Sequence, residues 1–243
     1  MKKYFTVFVF LLTNVIFSQE ADEVGWISKF GAAGGVNPIF IFPNIKPLND
    51  ILPVNGFEKL SEKGMFGIGG SGYVYVMFIE NLRIGGIGSG ALQSVKSKSG
   101  SFIYEAEYSQ SFGGVTIEYT IPSIKKVALS FGGIIGAGSI EVNLYKNSSD
   151  FSWDNLFGEF KGNSLTSNIY HKLTLNYFTF SPTLNLDVPI NRFIAFRGGV
   201  GYTFSFGGSW KADNDKKIIR VPNELKGNSL FFQTGIYFGF FAF

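Results

Sequence analysis

The residues of this chain that could do chemistry are few. It has one histidine, His171 in the segment YHKLTL, and no cysteine, so thiolate chemistry and cysteine-type metal sites are excluded. A hydroxyl nucleophile needs a base within hydrogen-bond reach and a third group to orient that base. On an extended strand the position two after His171 shares its face, and Leu173 stands there; Thr174 lies on the opposite face. His171 therefore reads as a rim residue, and no residue is assigned a catalytic role. No histidine cluster or carboxylate spacing suits a metal. Glycine pairs recur at Gly34-Gly35, Gly85-Gly86, Gly132-Gly133 and Gly198-Gly199. Neither a Lys-Ser/Thr pair nor a helix start follows them, which argues against a phosphate-cradling loop. No cofactor and no metal are expected.

The elements that must position any site begin with an export signal. Lys2 and Lys3 precede an apolar run from Tyr4 to Phe17, and Ser18 stands before the acidic Glu20, Asp22 and Glu23. This pattern predicts a signal peptide over residues 1–18 and a mature domain over 19–243; the run is shorter than the ~20 residues of a spanning helix. Removing two lysines leaves 19 basic against 18 acidic residues. A nearly neutral chain has no electrostatic basis for a nucleic-acid partner. Glycine is abundant at 31 residues and aromatics reach 17%, while charged residues make only 16%. With export and no later apolar run long enough for a helical span, this composition predicts an all-β protein.

Eight β-like segments can be read: Val24 to Val36, Met65 to Glu80, Leu82 to Val95, Phe102 to Ile121, Val127 to Tyr145, Ile169 to Val188, Arg192 to Trp210 and Asn228 to Phe243. Even-numbered connections are short, as at Glu80-Asn81, Pro122 to Lys126 and Pro189 to Asn191. Odd-numbered ones are longer: Asn37 to Gly64, Lys96 to Ser101, Lys146 to Asn168 and Lys211 to Gly227. A β-sandwich has no reason to sort its loops by parity, whereas outer-membrane barrels carry short periplasmic turns and longer extracellular loops. Face alternation agrees. In the sixth segment Phe178, Phe180, Leu184, Leu186 and Val188 oppose Thr179, Ser181, Thr183, Asn185 and Asp187, a length matching the ~9 to 11 residues of a tilted membrane strand. Pro182 interrupts it, and a bulge or local break is expected there. The fourth segment changes parity midway, which predicts a second bulge near Phe112 to Gly114.

The signal, the eight strands, the loop parity and the aromatic close on Phe243, with Phe241 and Tyr237 in phase behind it, resemble the small eight-stranded outer-membrane proteins of the OmpA-transmembrane and OmpX type. That resemblance implies an antiparallel up-and-down transmembrane β-barrel in the bacterial outer membrane. It also implies contact with lipid, and a terminal strand whose Tyr237, Phe241 and Phe243 are read by the barrel-assembly machinery. The chain departs from the group in that Phe232, Ile236, Phe238 and Phe240 make the last strand apolar on both faces. Its odd-numbered residues are expected to face lipid and its even-numbered aromatics to fill the lumen. Barrel hydrolases such as lipid A deacylases and phospholipases place a hydroxyl two residues after histidine, where this chain has Leu173.

With these parities Lys29, Arg83 and Arg197 point inward near the periplasmic end, and Glu118 and Asp187 point inward at a similar level. Charges in so narrow an interior must pair, so a lumen ion-pair cluster is expected, acting as a plug or as a gate. The Asn37 to Gly64 stretch is expected to fold over or into the mouth as a lid that keeps Ile39, Phe40, Ile41 and Phe42 from water. Phe40, Phe42, Trp153 and Phe157 are the loop-contact candidates. The expected function is a non-enzymatic, monomeric barrel that is structural or binds an external ligand or small hydrophobic molecule through its loops. The alternative is a narrow channel or transporter for small or hydrophobic molecules.

Overall fold

The structure is a computed structural model that describes residues 30–122, 127–148, 168–191 and 193–242. The expected signal peptide, Lys29, Trp153, Phe157 and Phe243 lie outside the described residues. Seven long strands come first: β1 Phe30–Pro43, β2 Met65–Tyr75, β3 Leu82–Ser99, β4 Phe102–Thr120, β5 Ala128–Ser148, β6 Ile169–Pro189 and β7 Ile194–Phe206. A small hairpin, β8 Lys211–Ala212 and β9 Lys216–Lys217, precedes the last long strand, β10 Ser229–Ala242. Each long strand pairs antiparallel with the next, and β10 pairs with both β7 and β1, so the eight long strands close into a barrel. The start of β1 and the end of β10 meet at Phe30 and Ala242, at the same end as the short turn at 76–81 and the junction of β6 with β7.

The opposite end carries the long connections 44–64 and 207–228. The connection expected at Lys96 to Ser101 is instead a two-residue turn, because β3 and β4 stay paired up to Ser99 and Phe102. Within 44–64 a short helix, α1 Lys46–Asn49, and a 3-10 turn at Pro53–Asn55 fold inward. Ile45, Leu48, Leu52 and Leu60 are buried. Asn49 clamps this segment shut, donating from Nδ2 to the Leu60 carbonyl and accepting the Leu60 N–H at Oδ1, both at 2.9 Å. The segment is a lid, as expected, but it begins later. β1 runs on to Pro43, with Ile39 and Ile41 in the interior and Phe40 and Phe42 on the outer wall, where Phe42 meets the Phe232 ring edge-on at 5.9 Å. Phe40 and Phe42 are therefore wall residues and not loop contacts.

No bulge occurs in β4. Its register with β3 and with β5 is unbroken from end to end, and one parity faces inward throughout: Ala106, Tyr108, Gln110, Phe112, Thr116, Glu118 and Thr120 are all buried. What changes midway is the surroundings. Near the turns the outer wall is Val115, Ile117 and Tyr119 and the inner wall is polar; toward the loops the outer wall is Glu105, Glu107, Ser109 and Ser111 and the inner wall is largely apolar. β6 inverts at the same height. Its outer face passes from Val188, Leu186, Leu184, Phe180 and Phe178 to Asn176, Thr174 and Lys172, while its inner face passes from Asp187, Asn185, Thr183, Ser181 and Thr179 to Tyr177, Leu175 and Leu173. At a rise of ~3.3 Å per residue and a tilt near 40°, the apolar stretch Phe178 to Val188 covers about 25 Å, the height of the band that meets hydrocarbon.

Of the two expectations at Pro182, which sits on that outer face, the local break is found and the bulge is not. The β6–β7 ladder is interrupted only around Pro182, between the pairs Phe180–Phe204 and Thr183–Gly201, and resumes in the same register. Pro38 does the same in β1, between Val36–Ile236 and Ile39–Gln233. A proline lacks the N–H for one ladder bond but keeps an extended backbone, so each costs a bond and leaves the strand straight.

The last strand has the reverse orientation to that expected. Phe231, Gln233 and Tyr237 are buried inside, whereas Phe232, Ile236, Phe238 and Phe240 are exposed on the outer wall. Phe231 is 0% exposed and packs on Phe112 with ring centroids 5.1 Å apart, while Phe238 is 62% exposed. Phe231→Ala should therefore lower the stability of the lipid-embedded protein to urea by about 3 kcal/mol through the cavity it opens. Phe238→Ala should cost clearly less; equal losses would contradict this orientation.

Candidate functional site

Two directly opposed cross-strand pairs face each other across the narrow interior: Arg83 of β3 with Glu118 of β4, and Asp187 of β6 with Arg197 of β7. An eight-stranded barrel leaves only enough width for side chains, so the long arginines reach the opposite wall. Arg83 donates from Nη2 to Glu118 Oε2 at 2.7 Å and from Nη1 to Asp187 Oδ2 at 2.5 Å. Arg197 donates from Nε and Nη2 to the two Asp187 oxygens at 2.5 and 2.9 Å, and from Nη1 and Nη2 to the two Glu118 oxygens, each at 3.2 Å. Each guanidinium thus bridges both carboxylates. All four residues are 5% exposed or less. Two positive and two negative charges balance, which is the condition under which burial of ions can be tolerated.

A polar and aromatic shell completes the cluster. Arg83 Nη2 also donates to Ser130 Oγ of β5 at 2.5 Å. Asn185 Nδ2 donates to Glu118 Oε1 at 3.2 Å, and Gln233 Nε2 of β10 donates to Asn185 Oδ1 at 2.9 Å. The Tyr73 ring of β2 receives both cations, with Arg83 Cζ 4.5 Å and Arg197 Cζ 4.7 Å from its centroid; Tyr237 receives Arg197 at 4.9 Å. Such contacts add stabilisation where water is excluded. The Tyr237 hydroxyl accepts from Asn37 Nδ2 of β1 at 2.8 Å and contacts the Ser71 hydroxyl of β2. Every one of the eight long strands supplies a member.

Glycine makes room for this cluster. A Cβ on Gly132 would come within 2.9 Å of Glu118 Cγ, and one on Gly199 would strike Asn185 Oδ1. The glycine pairs thus admit the large polar side chains into a narrow lumen.

Of the residues expected at the site, the structure brings together Arg83, Glu118, Asp187 and Arg197. Tyr237 joins them from the lumen side and does not face lipid. Phe241 pairs through its backbone with Gly31. Tyr73, Tyr75, Asn37, Ser71, Ser130, Asn185 and Gln233 were missed; the inward parity of Tyr73 with Ser71 was the available signal. Among the described residues no group of three or more His, Cys, Asp or Glu is placed to hold a metal.

At the loop end His171 takes a role that spacing could not reveal. Its Nδ1 lies 2.7 Å from Asp213 Oδ2, and Asp213 Oδ1 accepts the Lys172 backbone N–H at 2.9 Å. These contacts fasten the β8–β9 hairpin beside β6, where Ala212 pairs with Leu173. The Lys172 N–H, and after it His171, hold the Asp213 carboxyl below the ordinary aspartate range.

The closed sheet, the apolar belt around a polar interior and the short turns beside both chain ends define an eight-stranded outer-membrane β-barrel whose loop end is extracellular. No family model matches the chain, and no curated protein matches it. Solved structures of similar shape include the outer membrane protein OprG from Pseudomonas aeruginosa, at 12% identity over 90% of this chain and 99% of that one, TM-score 0.49. A major outer membrane protein from Thermus thermophilus matches at 8% identity over 86% and 99%, TM-score 0.49. The attachment invasion locus protein Ail of Yersinia pestis, solved with the heparin analogue sucrose octasulfate, matches at 9% identity over 87% and 97%, TM-score 0.42.

Arg83→Met should leave two buried carboxylates to one guanidinium and lower stability by about 3–5 kcal/mol. Adding Glu118→Gln restores the one-to-one balance and should recover most of that loss in the same urea titration. At the rim, the Asp213 anchor is complete above the ordinary carboxylate pKa of ~3.9 and is lost as pH falls through its lowered value. At neutral pH, Asp213→Ala should speed trypsin cleavage at the exposed Lys216 and Lys217 severalfold; an unchanged rate would deny the anchor.

Proposed function

We propose that this protein is a closed, non-enzymatic barrel that does not conduct and that works by binding at its extracellular end. The observation that carries this reading is that the lumen is filled at two successive levels by side chains of opposite chemistry. The lower level is the balanced charge cluster. Above it lie Phe112, Ile134 and Phe231, each 3% exposed or less, and then the apolar interior beneath the lid. An ion that passed the cluster would still meet these buried, mainly apolar side chains, so rearranging the salt bridges alone does not open a path. Monomeric action and recognition of the terminal Phe243 by the assembly machinery belong to the same reading.

The second reading, a narrow transporter for small or hydrophobic molecules, draws on the apolar upper compartment; it requires the charge cluster to part. Planar-bilayer recording separates the two. The closed reading expects no channel steps from the wild type and none from Arg197→Ala, because the apolar layer remains. Steps in the wild type would overturn it, and steps that arise only in Arg197→Ala would make the cluster a gate.

A further inference from the structure

Among the described residues, two separate pieces of chain roof the extracellular mouth, the 44–64 lid and the 207–228 connection, and they leave a space beneath them. Between them and the inner walls of β4, β5 and β6 lies a cavity of about 630 Å³, within the roughly 300–1,000 Å³ of small-molecule sites. Its walls are mainly apolar: Leu52 and Phe57 from the lid, Leu144 and Leu173 from the strands, Trp210 and Val221 from the connection. Trp210 is fixed in place by its indole N–H, which donates to the Leu225 carbonyl at 3.1 Å.

Two cations, Lys146 and Arg220, line this cavity together with His171, and among the described residues no aspartate or glutamate lines it. His171 is paired with Asp213. Lys146 has no carboxylate partner among the described residues; its ammonium rests 4.6 Å from the Phe102 ring centroid and 5.8 Å from that of Tyr104. Arg220 likewise has no carboxylate partner among the described residues, and its backbone sits at φ 61°, a left-handed conformation that side chains of this size seldom adopt. An apolar chamber edged by two cations that have no carboxylate partner among the described residues fits a molecule with a greasy body and a single negative head, since a guanidinium or ammonium makes strong charge-assisted hydrogen bonds to a carboxylate.

We propose that this cavity binds a medium-chain monocarboxylate, with the hydrocarbon body against Leu52, Leu173 and Trp210 and the carboxylate against Lys146 and Arg220. The inference rests on the reading of the protein as a binding barrel and names the ligand class.

The test uses the full mature chain in lipid nanodiscs, because detergent tails would compete. There are three tryptophans; Trp26→Phe and Trp153→Phe leave Trp210 as the reporter. Decanoate should change Trp210 emission with a saturable curve, and decylamine, of equal length and opposite charge, should bind at least tenfold more weakly. Lys146→Ala with Arg220→Ala should weaken decanoate at least tenfold while heat-modifiable migration stays normal. Leu173→Phe, which fills the chamber and keeps both cations, should also weaken it. The proposal is overturned by an unchanged emission, by a response that rises linearly with decanoate as simple lipid partition would, or by equal binding of the two amphiphiles. Conductance reads the lumen and not this cavity. A conducting barrel that binds decanoate would therefore sink the closed reading alone, and a silent barrel that ignores decanoate would sink this proposal alone.

Discussion

Four buried charges hold the barrel to one cross-section. Closure of eight strands at a given stagger fixes the mean diameter, but each strand is bonded only to its two neighbours, so the ladder by itself does little to keep the cross-section from flattening. Here Arg83 and Arg197 each grip Glu118 and Asp187, and both press on Tyr73. The arrangement ties opposite walls together with directional contacts, and through Ser130, Asn37, Gln233 and the tyrosines it reaches every long strand. Its cost is desolvation of four ions, offset only because each charge has more than one partner. The inner glycines follow from this constraint: strands that carry large polar groups inward must have neighbours with no side chain there.

The second organising fact is that the barrel is taller than the membrane. A strand inside the hydrocarbon layer must be apolar outward, and its inward face can then be polar. Once the strand leaves the layer, water surrounds it and the ordinary rule of soluble proteins applies, apolar inward and polar outward. β4, β5 and β6 obey both rules in succession, which is why Tyr108, Ile140, Val142 and Leu175 are buried while Glu141 and Lys172 pair across the outer surface at 2.6 Å. The extracellular half is in effect a small soluble barrel, with the lid residues Leu48, Leu52 and Leu60 completing its core.

This explains what could and could not be read from the amino-acid order. Alternation in β6 and β7 is clean because one face is aliphatic and aromatic and the other carries hydroxyls and charges, so the closed barrel and the level of Arg83, Glu118, Asp187 and Arg197 were both legible. In β4 the alternation exchanges sides, and a strand crossing from lipid to water is indistinguishable, by pattern, from a strand that has slipped by one residue. β10 misled for another reason. Its two faces are both aromatic, so the large side chains carry no signal there, and the polar groups of Ser229, Gln233 and Tyr237, which need buried partners, marked the inner side. The pairing of His171 with Asp213 joins residues 42 apart in the chain, beyond the reach of any local spacing rule.

The inversion also decides what a molecule approaching from outside the cell touches first. On many barrels that surface would be loop tips, which must be ordered before they can be held. Among the described residues much of it is sheet: the outer faces of β3 to β6 above the membrane, where Lys96 pairs with Glu105 and Lys172 with Glu141. A partner that docks on such a wall meets groups fixed at ladder spacing and forfeits little conformational freedom in doing so. The height of the strands gives this protein a sheet-built face toward its surroundings.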